Sequence, residues 1–210
     1  MVDLTLIARF VIEGEEQEVK KLVQQAITEG VTPDQVLSEG LIAGMDVVGE
    51  RMRKHEIFLP EVLKSAKVMH AGLDLLTPLL VTGGLTLGPK VVLGTVKGDL
   101  HDIGKNLVGM MLKGAGFQVI DLGIDVPAAR FVQTVEEQKA KVLGLSALLT
   151  TTMPEMRNTI EALKAAGLRE KVRVVVGGAP VSSEYANKIG ADGFARDAAR
   201  AVDKVRELIR

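Results

Sequence analysis

The stretch Gly94-Thr95-Val96-Lys97-Gly98-Asp99-Leu100-His101-Asp102-Ile103-Gly104-Lys105-Asn106 decides how this chain is read. It follows a short apolar run, Val91-Val92-Leu93, of the kind expected of a buried strand. It leads into Ile103, Leu107, Met110 and Met111, spaced as one face of a helix. Asp99 and His101 therefore fall on a strand-to-helix loop. In an open α/β sheet such loops lie at the carboxyl ends of the strands, where ligands bind. An Asp-x-His spacing lets a carboxylate reach the imidazole nitrogen that faces away from a ligand, the arrangement that supports metal-bound histidines.

The pattern around this stretch alternates. Strands are expected over 91–95, 117–121, 142–146, 172–176 and near 193–194, and helices over 103–114, 128–138, 154–166, 183–189 and 197–209. The apolar runs are nearly continuous, as in strands buried on both faces. Five such β/α units predict a doubly wound parallel sheet over 90–210, an α/β flavodoxin-like (Rossmann-like) domain with strand order 2-1-3-4-5.

Upstream, residues 1–80 read as helix throughout. A short leading segment runs from about Leu4 to Ile12. Val19, Leu22, Val23, Ala26 and Ile27 form one apolar face, Gly30 ends that helix, and Thr32-Pro33-Asp34 starts the next. Leu37, Leu41, Met45, Val48 and Met52 continue at helical spacing, and a fourth segment carries Leu59, Val62, Leu63, Ala66, Met69, Leu73 and Leu76. Short connections predict an N-terminal four-helix bundle. From Thr77 to Pro89 the period is lost among two prolines and three glycines. Residues 81–89 are therefore expected to be a linker.

Composition narrows the function. There are 26 Lys plus Arg against 27 Asp plus Glu, a formal net charge of −1, so no basic surplus points to nucleic acid or an anionic membrane. The chain has no Cys, which excludes disulfides, zinc–thiolate sites, iron–sulfur ligation and thiol nucleophiles. Aromatics are only 3%, so the core must be aliphatic. The longest apolar stretch, 73–81, is broken by Asp74 and Pro78 and falls short of the ~20 residues that span a bilayer. No secretory signal is visible, so a cytoplasmic protein is expected.

Chemistry-bearing residues collect at three predicted strand ends: Asp99 to Gly104, Ser146 to Thr152, and Gly177-Gly178-Ala179-Pro180. In the strand order above, these loops line one crevice. Hydroxyls and bare backbone there suit a long polar ligand, and glycines let the backbone approach it closely. The spacing of 94–104 fits neither the dinucleotide nor the P-loop fingerprint. The acidic pair and fifth-strand lysine of a response-regulator receiver are also missing. His55 and His70 lack a matching partner. Lys97 and Lys105 read as solvated charges, and Thr150-Thr151-Thr152 could also cap the helix that begins at Pro154.

Asp99-x-His101-x-x-Gly104, then 41 residues, then Ser146-x-Leu148, then 28 residues, then Gly177-Gly178 resembles the signature of cobalamin-binding proteins. Residues 44–52 and 58–66 resemble the helical cap of cobalamin-dependent methionine synthase and of small corrinoid methyl-carrier proteins. The resemblance implies a corrinoid held base-off, with His101 as the lower cobalt ligand. It also implies an Asp99–His101–Thr152 relay, with Thr152 where methionine synthase has serine. Asp102, Ile103, Gly104, Ser146, Leu148, Thr150, Gly177 and Gly178 would contact the corrinoid or its nucleotide tail. Met52, Leu59 and Val62 would cover the upper cobalt face, with a bundle that swings aside on the linker.

The resemblance further implies a carrier that is not catalytic alone. Its partners would be a substrate-specific methyltransferase, an acceptor methyltransferase using tetrahydrofolate or coenzyme M, and a reductive activator. The alternative is a cobalamin-sensing regulator, which is expected to carry a DNA-binding domain ahead of the helices.

Overall fold

The protein is described by a computed structural model covering residues 2–82 and 88–209. Residues 1–88 with 113–116 form one unit, and residues 89–112 with 117–210 form another.

In the first unit, α1 (Leu4–Glu13) is capped by Asp3, whose side chain accepts from Thr5 N, and closed by Gly14 at φ 75°. α2 (Glu16–Thr28) buries Val19, Val23 and Ala26. α3 (Pro33–Gln35) starts behind the Thr32 cap and runs through a π-helical stretch, Val36–Ile42, into α4 (Ala43–Arg53). Gly44 allows α4 to pass close to α1, because a Cβ there would lie 2.7 Å from the Ala8 carbonyl oxygen. α5 (Leu59–Thr82) packs on α1, α2 and α4.

The expected loss of helical period from Thr77 onward is not seen in α5, which reaches into the first two residues of the expected linker 81–89. It continues through Pro78 to Thr82. A proline inside a helix costs about 3 kcal/mol. Leu76 and Leu80, one turn apart across Pro78, are both buried, and that burial outweighs the local cost. Of the expected linker, residues 83–87 lie outside the described residues.

In the second unit, β1 (Lys90–Thr95), β2 (Gln118–Asp121), β3 (Val142–Ser146), β4 (Arg173–Gly177) and β5 (Gly193–Ala195) form one parallel sheet of order β2-β1-β3-β4-β5. The crossovers are α6 (Ile103–Gly114), α7 (Ala128–Gln138), α8 (Pro154–Ala165) and α9 (Ser183–Ile189), and α10 (Ala198–Leu208) closes the chain. Val92, Phe131, Leu143, Ile160 and Val174 belong to a largely aliphatic core, with Phe131 its buried aromatic, between sheet and helices. The register sets Thr95 beside Ser146 and Ser146 beside Gly177. That alignment gathers the three marked loops at one edge. Among the described residues, no helix is long and apolar enough to cross a membrane.

Candidate functional site

The loop after β1 is built by its neighbours. Val96 N donates to Ser146 O at 3.0 Å, and Val96 bridges Val126. Gly98 N donates to Asp125 Oδ1 at 2.7 Å, while Asp125 N donates to Asp99 O at 3.0 Å. Asp125 holds this position at φ 53°, a left-handed value that an aspartate tolerates better than most residues.

So placed, the Asp99 side chain is fully buried. Its Oδ1 accepts His101 N at 3.1 Å and lies 2.7 Å from His101 Nδ1. Its Oδ2 accepts Leu148 N at 2.7 Å, Leu149 N at 3.2 Å and Thr152 Oγ1 at 2.7 Å. Burial alone would raise the Asp99 carboxyl. The hydrogen bonds from Thr152, His101 and Leu148 N outweigh it and hold the group well below the usual carboxylate range.

A carboxylate only accepts, so Nδ1 carries the proton of the neutral imidazole and Nε2 keeps a lone pair. His101 is half-exposed and its carbonyl is tied by Thr95 Oγ1 at 2.8 Å. Nε2 takes no hydrogen bond from the described residues. Those residues also contain no cluster of three or more His, Cys, Asp or Glu fit to hold a bare metal ion. One pinned imidazole therefore suits a metal whose other positions are filled by its own macrocycle.

The remaining expected residues lie on the three loops at this edge of the sheet. Asp102 is exposed and accepts Asn106 Nδ2 at 3.0 Å. Ile103 is 78% exposed. At Gly104 a Cβ would meet nothing within 4 Å, so the first turn of α6 is bare on that side. Ser146 is half-buried, Thr150 is exposed, and neither hydroxyl is engaged by the described residues. Gly178 adopts φ +127°, and a Cβ there would come within 1.9 Å of Ala147 O, so glycine is required where the β4 loop crosses the β3 loop. Gly177 is tight as well, with its Cβ position 3.0 Å from Ala195 O.

In the helical unit, Met52 is half-buried, Leu59 is exposed and Val62 is fully buried. Phe58 and Leu63, exposed beside Leu59, carry no mark in the sequence pattern that sets them apart from core positions. The same holds for the apolar residues Leu100, Ile124 and Leu149, exposed at the strand ends. The signal for these three is an aliphatic side chain inside a polar, glycine-bearing loop.

Two expectations are corrected. α8 receives no side-chain cap, because the Thr152 hydroxyl is turned to Asp99 instead. Lys105 is not solvated. It is buried, with Nζ donating to Asp121 Oδ2 and to Asn106 Oδ1.

Comparison with known proteins agrees with this geometry. Residues 89–203 match the B12 binding domain family, and residues 4–77 match a second family of that same description. Dimethylamine corrinoid protein 1 of Methanosarcina acetivorans is 44% identical over 204 residues, 97% of this chain and 95% of that protein. A cobalamin-binding protein from Desulfitobacterium hafniense DCB-2 has a TM-score of 0.82 at 34% identity, covering 100% of both chains. In the methanol:cobalamin methyltransferase complex MtaBC from Methanosarcina barkeri, one chain has a TM-score of 0.82 at 32% identity, with 97% of this chain and 83% of that chain covered. Similarity thus extends over both units, and the chain belongs to the B12-binding corrinoid proteins.

Proposed function

We propose that this protein carries a methyl group on a corrinoid bound base-off, with His101 Nε2 as the lower cobalt ligand. When bound, the corrinoid supplies a cobalt centre that accepts and releases the methyl group. The observation that carries the reading is the 2.7 Å pairing of His101 Nδ1 with a fully buried carboxylate, which leaves Nε2 free on a half-exposed ring.

Asp99 fixes the tautomer and the orientation of the imidazole. Thr152 completes the relay by donating to the far carboxylate oxygen. Leu100, Ile103 and Leu148 offer the corrin an apolar rim beside the histidine. Ser146 and Thr150 have hydroxyls to spare for the nucleotide tail, and Gly104, Gly177 and Gly178 leave its path clear. Of the three expected cap residues, Met52 and Leu59 are accessible enough to shield the upper face, whereas Val62 is buried.

Partners follow from the carrier role: a methyltransferase that loads the group and another, using tetrahydrofolate or coenzyme M, that removes it, with a reductive activator. A methylamine or methanol as the donor is supported by the dimethylamine corrinoid relative and by the methanol:cobalamin complex.

Reconstitution with cobalamin in protein carrying nitrogen-15 histidine tests the lower ligand. Spin resonance of the paramagnetic cobalt should show splitting that changes with the isotope. Splitting indifferent to it would assign the ligand to the nucleotide's own base and overturn the proposal.

A further inference from the structure

Among the described residues, two charged side chains are buried, and both lie in the loop and first turn after β1. Asp99 is explained by the histidine it holds. Lys105 is not. Its side chain is 1% exposed, so it reaches neither solvent nor a ligand in the crevice. Removing an ammonium from water is costly, and a buried ion pair seldom repays that cost as stability. In some proteins such a pair serves instead to fix one arrangement of the elements it joins.

The contacts of Lys105 show which arrangement it holds. Nζ donates to Asp121 Oδ2 at 2.5 Å and to Asn106 Oδ1 at 2.7 Å. Asp121 is the last residue of β2, and its Oδ1 accepts Gly123 N at 2.9 Å. Gly123 O in turn accepts Thr95 N at 2.9 Å, and Thr95 Oγ1 donates to His101 O. On the other side, Asn106 donates twice to Asp102, from N to O at 2.7 Å and from Nδ2 to Oδ2 at 3.0 Å. Asp102 directly follows His101. The ammonium thus joins the end of β2 to the first turn of α6, and chains of hydrogen bonds run from its two partners to His101 O on one side and to Asp102 on the other.

We propose that Lys105 is a positioning residue for the lower-ligand histidine, holding the first turn of α6 against the end of β2 and so setting the angle at which His101 presents Nε2. This rests on the reading of His101 as the cobalt ligand. Asp99 fixes the ring, and Lys105 fixes the backbone that carries it. Neither anchor replaces the other, because a pinned ring on a loose loop still wanders.

Lys105→Met keeps length and apolar bulk and removes the charge. Asp121 is 37% exposed at its side chain, so water can solvate it when the ammonium is gone, and the variant should fold. Asp121→Asn weakens the same tether from the surface side. Both are made in the full chain and loaded with cobalamin, with nitrogen-15 in histidine.

The readout is the share of cobalt showing imidazole splitting, measured beside unfolding by denaturant. Histidine ligation should weaken roughly tenfold in Lys105→Met, as when the support behind a metal ligand is lost, and less in Asp121→Asn. If His101→Ala abolishes the splitting while both tether variants keep the wild-type share, Lys105 is merely structural and the inference is overturned. If His101→Ala leaves the splitting intact, the ligand reading itself fails and this inference falls with it. Should Lys105→Met not fold, an unchanged share in Asp121→Asn overturns the inference alone.

Discussion

Thr152 Oγ1 lies 2.7 Å from Asp99 Oδ2, although 53 positions separate the two residues. The hydroxyl has one proton and a second acceptor nearby, the Leu149 carbonyl at 2.9 Å. That carbonyl is already served by Thr152 N and Met153 N, at 3.1 and 3.2 Å. An ionised carboxylate is also the stronger acceptor, so the proton belongs to Asp99. The loop after β3 therefore holds the loop after β1 through a charge-assisted bond.

Thr152→Val keeps the shape and removes that bond. It should cost the apoprotein about 1.5–3 kcal/mol, the range for hydrogen bonds to charged groups. Thr152→Ser keeps the hydroxyl and should cost clearly less. Denaturant unfolding of both variants measures the difference, and equal losses would show that the methyl group matters more than the proton.

Acid should act on the same contact. The folded pKa of Asp99 lies below its ordinary value of 3.8. The carboxylate's contribution is thus fully present above that value and is lost as pH falls below it toward the folded pKa. Asp99→Asn cannot make this contribution at any pH. The stability gap between wild-type and Asp99→Asn apoprotein should be wide near neutrality and narrow below about pH 4. Unfolding curves across that range check this, and a gap independent of pH would mean that the negative charge is not what is stabilised.

Two glycines of the site should respond in opposite ways. Gly178→Ala forces a Cβ toward Ala147 O at an unfavourable φ and should cost roughly 3 kcal/mol or more. Gly104→Ala meets open space in a helical turn and should stabilise the apoprotein by up to about 1 kcal/mol. The same methyl should weaken corrinoid binding, because it fills room the ligand needs. Thermal unfolding and cobalamin titration, run in parallel, separate the two effects.

His101→Ala should remove the proposed lower ligand and change the visible spectrum of the loaded protein, and because it also takes a hydrogen bond from the buried Asp99 it should cost the fold about 1.5–3 kcal/mol. The same change at His55 or His70 should leave the spectrum alone. Equal spectral changes from all three would mark a general loss of structure.

Local pattern carries much of this protein. Helical spacing alternating with short, nearly continuous apolar runs marks elements over short windows, which is why the spans of α6, α7 and α9 are legible in the amino-acid sequence itself, and the sheet order follows from the doubly wound pattern of five β/α units. The Asp99–His101 pairing is legible for the same reason, since two residues of one loop need no distant element to bring them together. Other features are settled only in three dimensions. Whether Thr152 caps α8 or serves Asp99 depends on the β1–β3 register, which no window around Thr152 contains. Whether Pro78 ends a helix depends on what Leu76 and Leu80 bury. Whether Lys105 meets water depends on where β2 ends, because an ammonium leaves solvent only when a carboxylate from another element is already waiting for it.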